Sequence, residues 1–169
     1  TGTPTTMPPG YKVVQGVIEL DTKAPVITLL GAPFMQHEAG KEFTDPGAKG
    51  NDNHDGDITS SIQKTGKVDA QTIGVYVLTY NLIDAAGNTA EQKTRNVEVI
   101  DSIPPVITLN GEATVNHAFG TVYGDLGATA VDNVDGAVAI GRNGTVDPNT
   151  LGAYPLTYSA VDSAGNGAT

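Results

Sequence analysis

Gly74-Val75-Tyr76-Val77-Leu78-Thr79-Tyr80-Asn81-Leu82-Ile83-Asp84-Ala85-Ala86-Gly87-Asn88 joins a long alternating strand to a tight turn. The chain repeats it as Gly152-Ala153-Tyr154-Pro155-Leu156-Thr157-Tyr158-Ser159-Ala160-Val161-Asp162-Ser163-Ala164-Gly165-Asn166. Side chains alternate across a strand, so Tyr76, Leu78, Tyr80 and Leu82 share one face and Val77, Thr79 and Asn81 the other. That pattern predicts a half-buried strand of an antiparallel sheet. Asp-Ala-Ala-Gly-Asn supplies turn residues that tolerate left-handed backbone, and Thr94 to Ile100 reads as the returning strand. The second copy has no returning strand before Thr169.

Working outward, 169 residues carrying two copies of one pattern predict two domains of roughly 80 residues, each with a modest core. The absence of cysteine removes disulfides as the reinforcement such small domains need, which leaves bound metal, a neighbouring domain or a partner strand. Thr, Val, Gly, Asp and Asn dominate, and no long apolar run occurs, so the chain reads as all-β without membrane insertion. Nineteen acidic against nine basic residues, a formal net charge of −10, argue against nucleic acid and anionic lipid as partners and are compatible with cations. A start at Thr1 without a signal peptide fits a processed secreted protein or an excised fragment.

Thr1 to Gly10, with three prolines and four threonines, reads as a tether. Tyr11 to Leu20 then reads as one strand, with Val14, Gly16, Ile18 and Leu20 on one face. Pro25-Val26-Ile27-Thr28-Leu29 returns as Pro105-Val106-Ile107-Thr108-Leu109, an offset of 80 that also pairs Asp21 with Asp101, His37 with His117 and Asp45 with Asp125. It pairs Asp52-Asn53-His54-Asp55-Gly56 with Asp132-Asn133-Val134-Asp135-Gly136, and a two-residue deletion then sets the offset to 78.

The order Asp-x-x-x-Pro-Val-Ile-Thr-Leu, Asp-x-Gly-Ala, Asp-Asn-x-Asp-Gly, Gly-x-Tyr-x-Leu-Thr-Tyr and Asp-x-Ala-Gly-Asn, closing on Val-x-Val-Ile-Asp, resembles the bacterial immunoglobulin-like repeat. That repeat occurs in tandem surface-protein arrays and in some pesticidal crystal proteins. The resemblance runs from Asp21 to Asn166. It implies two tandem immunoglobulin-like Greek-key β-sandwiches: residues 1–20 as tether and donor strand, 21–101 as domain 1, and 102–169 as domain 2, incomplete for want of its last strand. It also implies an extracellular or cell-surface location.

In that topology the interdomain linker, the loop after the second strand and the turn before the last strand meet at the N-terminal pole of a domain. Asp21, Asp52, Asn53, Asp55, Asp57, Asp84 and Asn88 would then gather in domain 1, and Asp101, Asp132, Asn133, Asp135, Asp162 and Asn166 in domain 2. Hard oxygen donors from separate loops suit calcium, which takes six to eight of them. The alternative is that the same residues cap their own turns. Ala137 stands where the first repeat has Asp57, which makes the second site the poorer one. His37 and His117 read as strand or turn residues, and no nucleophile, carboxylate pair or phosphate loop is credible, so the chain is read as non-enzymatic. Without tryptophan, and with Tyr76, Tyr80, Tyr154 and Tyr158 on core faces, no aromatic sugar platform is expected.

Tyr11 to Leu20 precedes Asp21 as the closing strand precedes Asp101, so it stands in the closing-strand place of a preceding repeat. Residues 21 to 24 span only about 14 Å, too short to let it close domain 2 of its own chain. Donation of this strand, led by Tyr11, Val14, Ile18 and Leu20, into domain 2 of a further copy would build a homopolymeric extracellular filament. The competing expectation is a monomeric stalk that spaces a distant adhesive domain from the cell surface.

Overall fold

A computed structural model describes residues 8–14 and 17–169, with the backbone alone described for 14, 17 and 18. It divides into two compact units at Ile100/Asp101. Among the described residues there is no α-helix, only a single 3-10 turn at Thr59–Ser61.

After β1 (Tyr11–Val14) and β2 (Val17–Leu20), the first unit builds two sheets from seven strands. These are β3 (Val26–Leu29), β4 (Phe34–Glu38), β5 (Ala48–Asp52), β6 (Gly56–Asp57), β7 (Gln63–Thr65), β8 (Gly74–Asn81) and β9 (Lys93–Ile100). One sheet has the order β3-β5-β6 and the other β4-β9-β8-β7. The long alternating strand behaves as its pattern demands: Leu78, Tyr80 and Leu82 are buried, while Val75 and Val77 face solvent. They pack with Ile27 and Ala90 into a core that Leu29, Phe43, Ile58 and Ile62 flank. Gly50 sits deep in it, because a Cβ there would lie 2.6 Å from Leu82 Cδ2. In the second unit the same two places hold Ala130 and Ala160, so the bulk is shared between the partners instead of given to one.

β9 closes the unit by pairing antiparallel with β8 and parallel with β4. It also delivers the largest buried side chain, Arg95, which is fully inaccessible to solvent. Its guanidinium donates to Asp45 Oδ1, to the Tyr80 hydroxyl at 2.9 Å, and to the carbonyls of Leu30, Ala32 (3.0 Å) and Gly47 (3.3 Å). Tyr80 donates to the Asp45 carboxylate at 2.8 Å, and Lys64 reaches it from outside at 3.1 Å. A buried charge is tolerable only when paired and hydrogen-bonded throughout, and here it is.

The second unit repeats this plan with β10 (Val106–Leu109), β11 (Ala128–Asp132), β12 (Gly136–Val138), β13 (Ile140–Asn143), β14 (Thr157–Val161) and β15 (Gly167–Ala168). Its sheets are β10-β11-β12 and β13-β14-β15. No described residue takes the place of β9. Accordingly, residues 114–118, which match β4 by the offset of 80, form no strand, and residues 152–156 are not paired where β8 is. Pro155 lies in this stretch, outside the ladder, where its missing N–H costs nothing.

The expectation of one continuous strand over Tyr11–Leu20 is corrected. β1 and β2 form an antiparallel hairpin with Tyr11 opposite Leu20 and Val14 opposite Val17. The Asp21 N–H donates to the Gly10 carbonyl at 2.9 Å and closes its open end. A lone ten-residue strand leaves both edges of its backbone without partners, and folding back satisfies one edge locally. Tyr11 and Leu20 are about half exposed; the side chains of Val14 and Ile18 lie outside those described.

Candidate metal centre

Three strand ends bring carboxylates together in the first unit. Asp21 follows β2, Asp52 ends β5, and Asp84 follows β8; each offers an oxygen within 4.8 Å of the others, and all three are buried. Asp52 Oδ1 accepts the N–H groups of His54 (2.6 Å) and Asp55 (3.0 Å), as a turn-capping aspartate does, yet its Oδ2 is buried without a hydrogen-bond partner. Asp21 divides in the same way: Oδ1 accepts the Lys23 N–H at 3.0 Å and Oδ2 has no partner. Turn capping therefore accounts for half of each carboxylate and leaves the other half directed at like charge. Two such charges 4.8 Å apart repel by roughly 3 kcal/mol at an effective dielectric of about 20, less in salt.

The second unit reproduces the arrangement with Asp101, Asp132 and Asp162. Asp132 Oδ1 caps Val134 (2.7 Å) and Asp135 (2.9 Å), and its Oδ2 is again buried without a partner. A donor set of three hard carboxylate oxygens from three segments fits a calcium-sized cation, with carbonyls or water completing the shell.

The other expected ligands stand around these triplets in supporting places. Asn88 donates its backbone N–H and its side-chain amide to the two oxygens of Asp84, both at 2.8 Å, and Asn166 does the same for Asp162 at 2.7 and 2.8 Å. The same amides reach the carbonyls of Asp21 and Asp101 at 3.3 Å. Asp55 ties the β5–β6 turn to the turn after β8 through the Ala85 N–H at 2.9 Å, and Asp135 does so through Ser163 at 2.6 Å. Asn53 and Asn133 are exposed and outside the triplets. Asp57 caps Thr59 at 2.9 Å instead of joining the cluster. The expectation that Ala137 weakens the second site is corrected for that reason: the side chain it lacks is not part of the first site.

Burial raises the Asp52 carboxyl, but the N–H groups of Asp55, His54 and Asn53 outweigh burial and hold it below the usual carboxylate range. The N–H groups of Asp135 and Val134 hold Asp132 low in the same way. Both stay ionised at neutral pH, which is the state a cation needs.

Arg95 escaped the sequence reading. The signal was present, since it shares strand parity with Val97 and Val99, both fully buried. His37 and His117 are structural: each ring meets an aromatic edge-on at 5.2 Å, Phe43 or Tyr123, and engages the carbonyl of Lys41 or Thr121 at 3.0 Å. Among the described residues no helix is long and apolar enough to cross a membrane.

The sequence is similar to an 81.3 kDa protein of Acholeplasma phage L2, with 33% identity over 125 residues, and to hyalin of Strongylocentrotus purpuratus, with 30% over 181 aligned positions. These alignments cover 68% and 98% of the chain, which spans only 16% and 15% of those relatives' lengths. A lipoprotein of Bacteroides thetaiotaomicron aligns over 84% of the chain and 57% of its own length, at 22% identity and a TM-score of 0.43. A Clostridium perfringens ZmpB structure with CBM51-2 and INT domains aligns over 53% and 21%, at 21% identity and a TM-score of 0.38. The family described as "Bacterial surface protein, Ig-like domain" matches twice, over residues 27–99 and 107–169. With both sandwich units accounted for, the chain belongs to the bacterial surface protein Ig-like domain family, as two tandem copies.

Proposed function

We propose that this chain is a spacer segment of an extracellular bacterial surface protein, whose two modules are each clamped at their N-terminal pole by a calcium ion. The observation that carries the reading is the duplicated carboxylate triplet, in which buried oxygens of Asp21, Asp52 and Asp132 have no protein partner. Asp101 is the first residue after β9, so a cation held there would tie the connection between modules to two loops of the second one and stiffen it. The reading assigns no catalysis to the chain.

The test is calorimetry on chelator-treated protein titrated with calcium. Two ions per chain are expected, and at about 100 times Kd each site adds roughly 2.7 kcal/mol, a rise in melting temperature on the order of 10 °C. Asp52→Asn should remove one ion and Asp132→Asn the other, whereas Asp57→Ala should leave both. Melting curves indifferent to calcium would sink the proposal.

Polymerisation by strand donation is the second reading, favoured by the open side of the second unit. The hairpin pairing of β1 with β2 weighs against it, because the donor must first unfold.

A further inference from the structure

Asparagine followed by glycine occurs three times, as Asn110-Gly111, Asn143-Gly144 and Asn166-Gly167. The second unit's fold treats the three side chains differently. The Asn110 amide donates to the Leu126 carbonyl at 3.0 Å. Asn166 is held harder: its amide donates to Asp162 Oδ2 at 2.8 Å and to the Asp101 carbonyl at 3.3 Å, while Gly167 is paired with Val161 in the sheet. Asn143, the exposed last residue of β13, has no such anchor, and its amide nitrogen donates to no described residue. Its side chain accepts instead. The Gly144 N–H donates to Asn143 Oδ1 at 2.9 Å, which holds the side-chain carbonyl against the main-chain nitrogen of the next residue.

The fold demands that glycine. Gly144 has φ of 102°, and a Cβ there would run into the Pro155 carbonyl. Gly66 stands in the same place in the first unit, with φ of 90° and the Val77 carbonyl over it, but Thr65 precedes it. The turn out of this strand therefore fixes a residue with no side chain to shield its nitrogen. Only the second unit sets an asparagine in front of it.

We propose that Asn143 is a self-modification site, at which the Gly144 nitrogen closes on the Asn143 side chain and converts it to aspartate and isoaspartate. The Gly144 N–H gives up its proton to solvent and the nitrogen attacks Asn143 Cγ. The N–Cγ bond forms, the Cγ–Nδ2 bond breaks, and ammonia leaves with a proton returned from solvent. Water then adds to either carbonyl of the five-membered imide. Opening at the new N–Cγ bond gives aspartate, and opening at the original peptide bond gives isoaspartate, joined to Gly144 through Cγ. One asparagine and one water become one carboxylate and one ammonium ion, and nothing is oxidised or reduced. The isoaspartyl link lengthens the main chain by a methylene at the rung where Asn143 faces Thr157, and so loosens the end of β13 from β14.

The test is ageing of the intact chain at mildly alkaline pH in water enriched in heavy oxygen, followed by peptide mapping with fragmentation that separates aspartate from isoaspartate. Label should enter Asn143 at least about tenfold faster than Asn110 or Asn166, the factor expected where a hydrogen bond to the leaving amide must first be broken. In concentrated urea the three rates should converge, since the fold is what sets them apart. Asn143→Gln, whose ring would need a sixth atom, should take up no label at that position and leave the slow rates at Asn110 and Asn166 as they were. Equal rates in the folded chain, faster conversion of Asn110 or Asn166, or an order of rates unchanged by urea would each overturn the proposal.

Discussion

At the scale of single residues, the first unit turns on Arg95. Replacing it with methionine keeps the bulk and leaves Asp45 without the inner half of its pairing. Breaking a buried pair from one side costs about 3–5 kcal/mol, so urea unfolding of Arg95→Met should show the first unit's transition shifted down by that amount. The same network sets two pH limits. Burial, with the Asp45 hydrogen bond, pushes the Tyr80 phenol up to about 12. Its folded value lies above its unfolded one, so this contribution is complete below pH 10 and is lost as pH rises from about 10 to 12. In the second unit the Tyr158 hydroxyl, with the Gly127 N–H and Arg142, holds the Asp125 carboxyl down at about 2. That contribution is present above about pH 4 and disappears as pH falls toward 2. Circular dichroism across both ranges should show an alkaline loss to which Tyr80 contributes and an acid loss to which Asp125 contributes. The Asp triplets were legible from the repeat offset, because position for position they recur. Which of thirteen carboxylates and amides would converge was not, since a turn-capping aspartate and a ligand share the same residue type and the same loops. Only the second oxygens of Asp21, Asp52 and Asp132, buried with nothing to bond, separate them.

At the scale of elements, β8 and β9 were readable from alternation, and the β8 burial pattern follows it closely. The parallel pairing of β4 with β9 was not, because Phe34 to Glu38 has no clean period and becomes a strand only against a neighbour. Residues 114–118 make the point by contrast: the segment aligned with β4, with no such neighbour among the described residues, stays irregular. Tyr11–Leu20 erred in the other direction. Its alternation is equally compatible with one strand or with two halves paired to each other, and backbone satisfaction decides between them. Strand donation depends on this element, so sedimentation velocity is its measure. The spacer reading expects a monomer across a hundredfold range of concentration, unchanged by deletion of residues 11–20. Growing polymers abolished by that deletion would instead favour the filament.

At the scale of the whole molecule, repetition is what the sequence expressed most directly, and the family match over two segments rests on it. The pairing of Tyr158 with Asp125, counterparts of Tyr80 and Asp45, needed the fold to bring residues 125 and 158 together. The parallel run of β4 beside β9 has a mechanical side as well. Tension on the ends of the first unit draws these two strands lengthwise in opposite directions, so their rungs bear the load in concert and fail together. Among the described residues the second unit has no such pair, and β14 and β15 meet over two residue pairs, which peel one rung at a time.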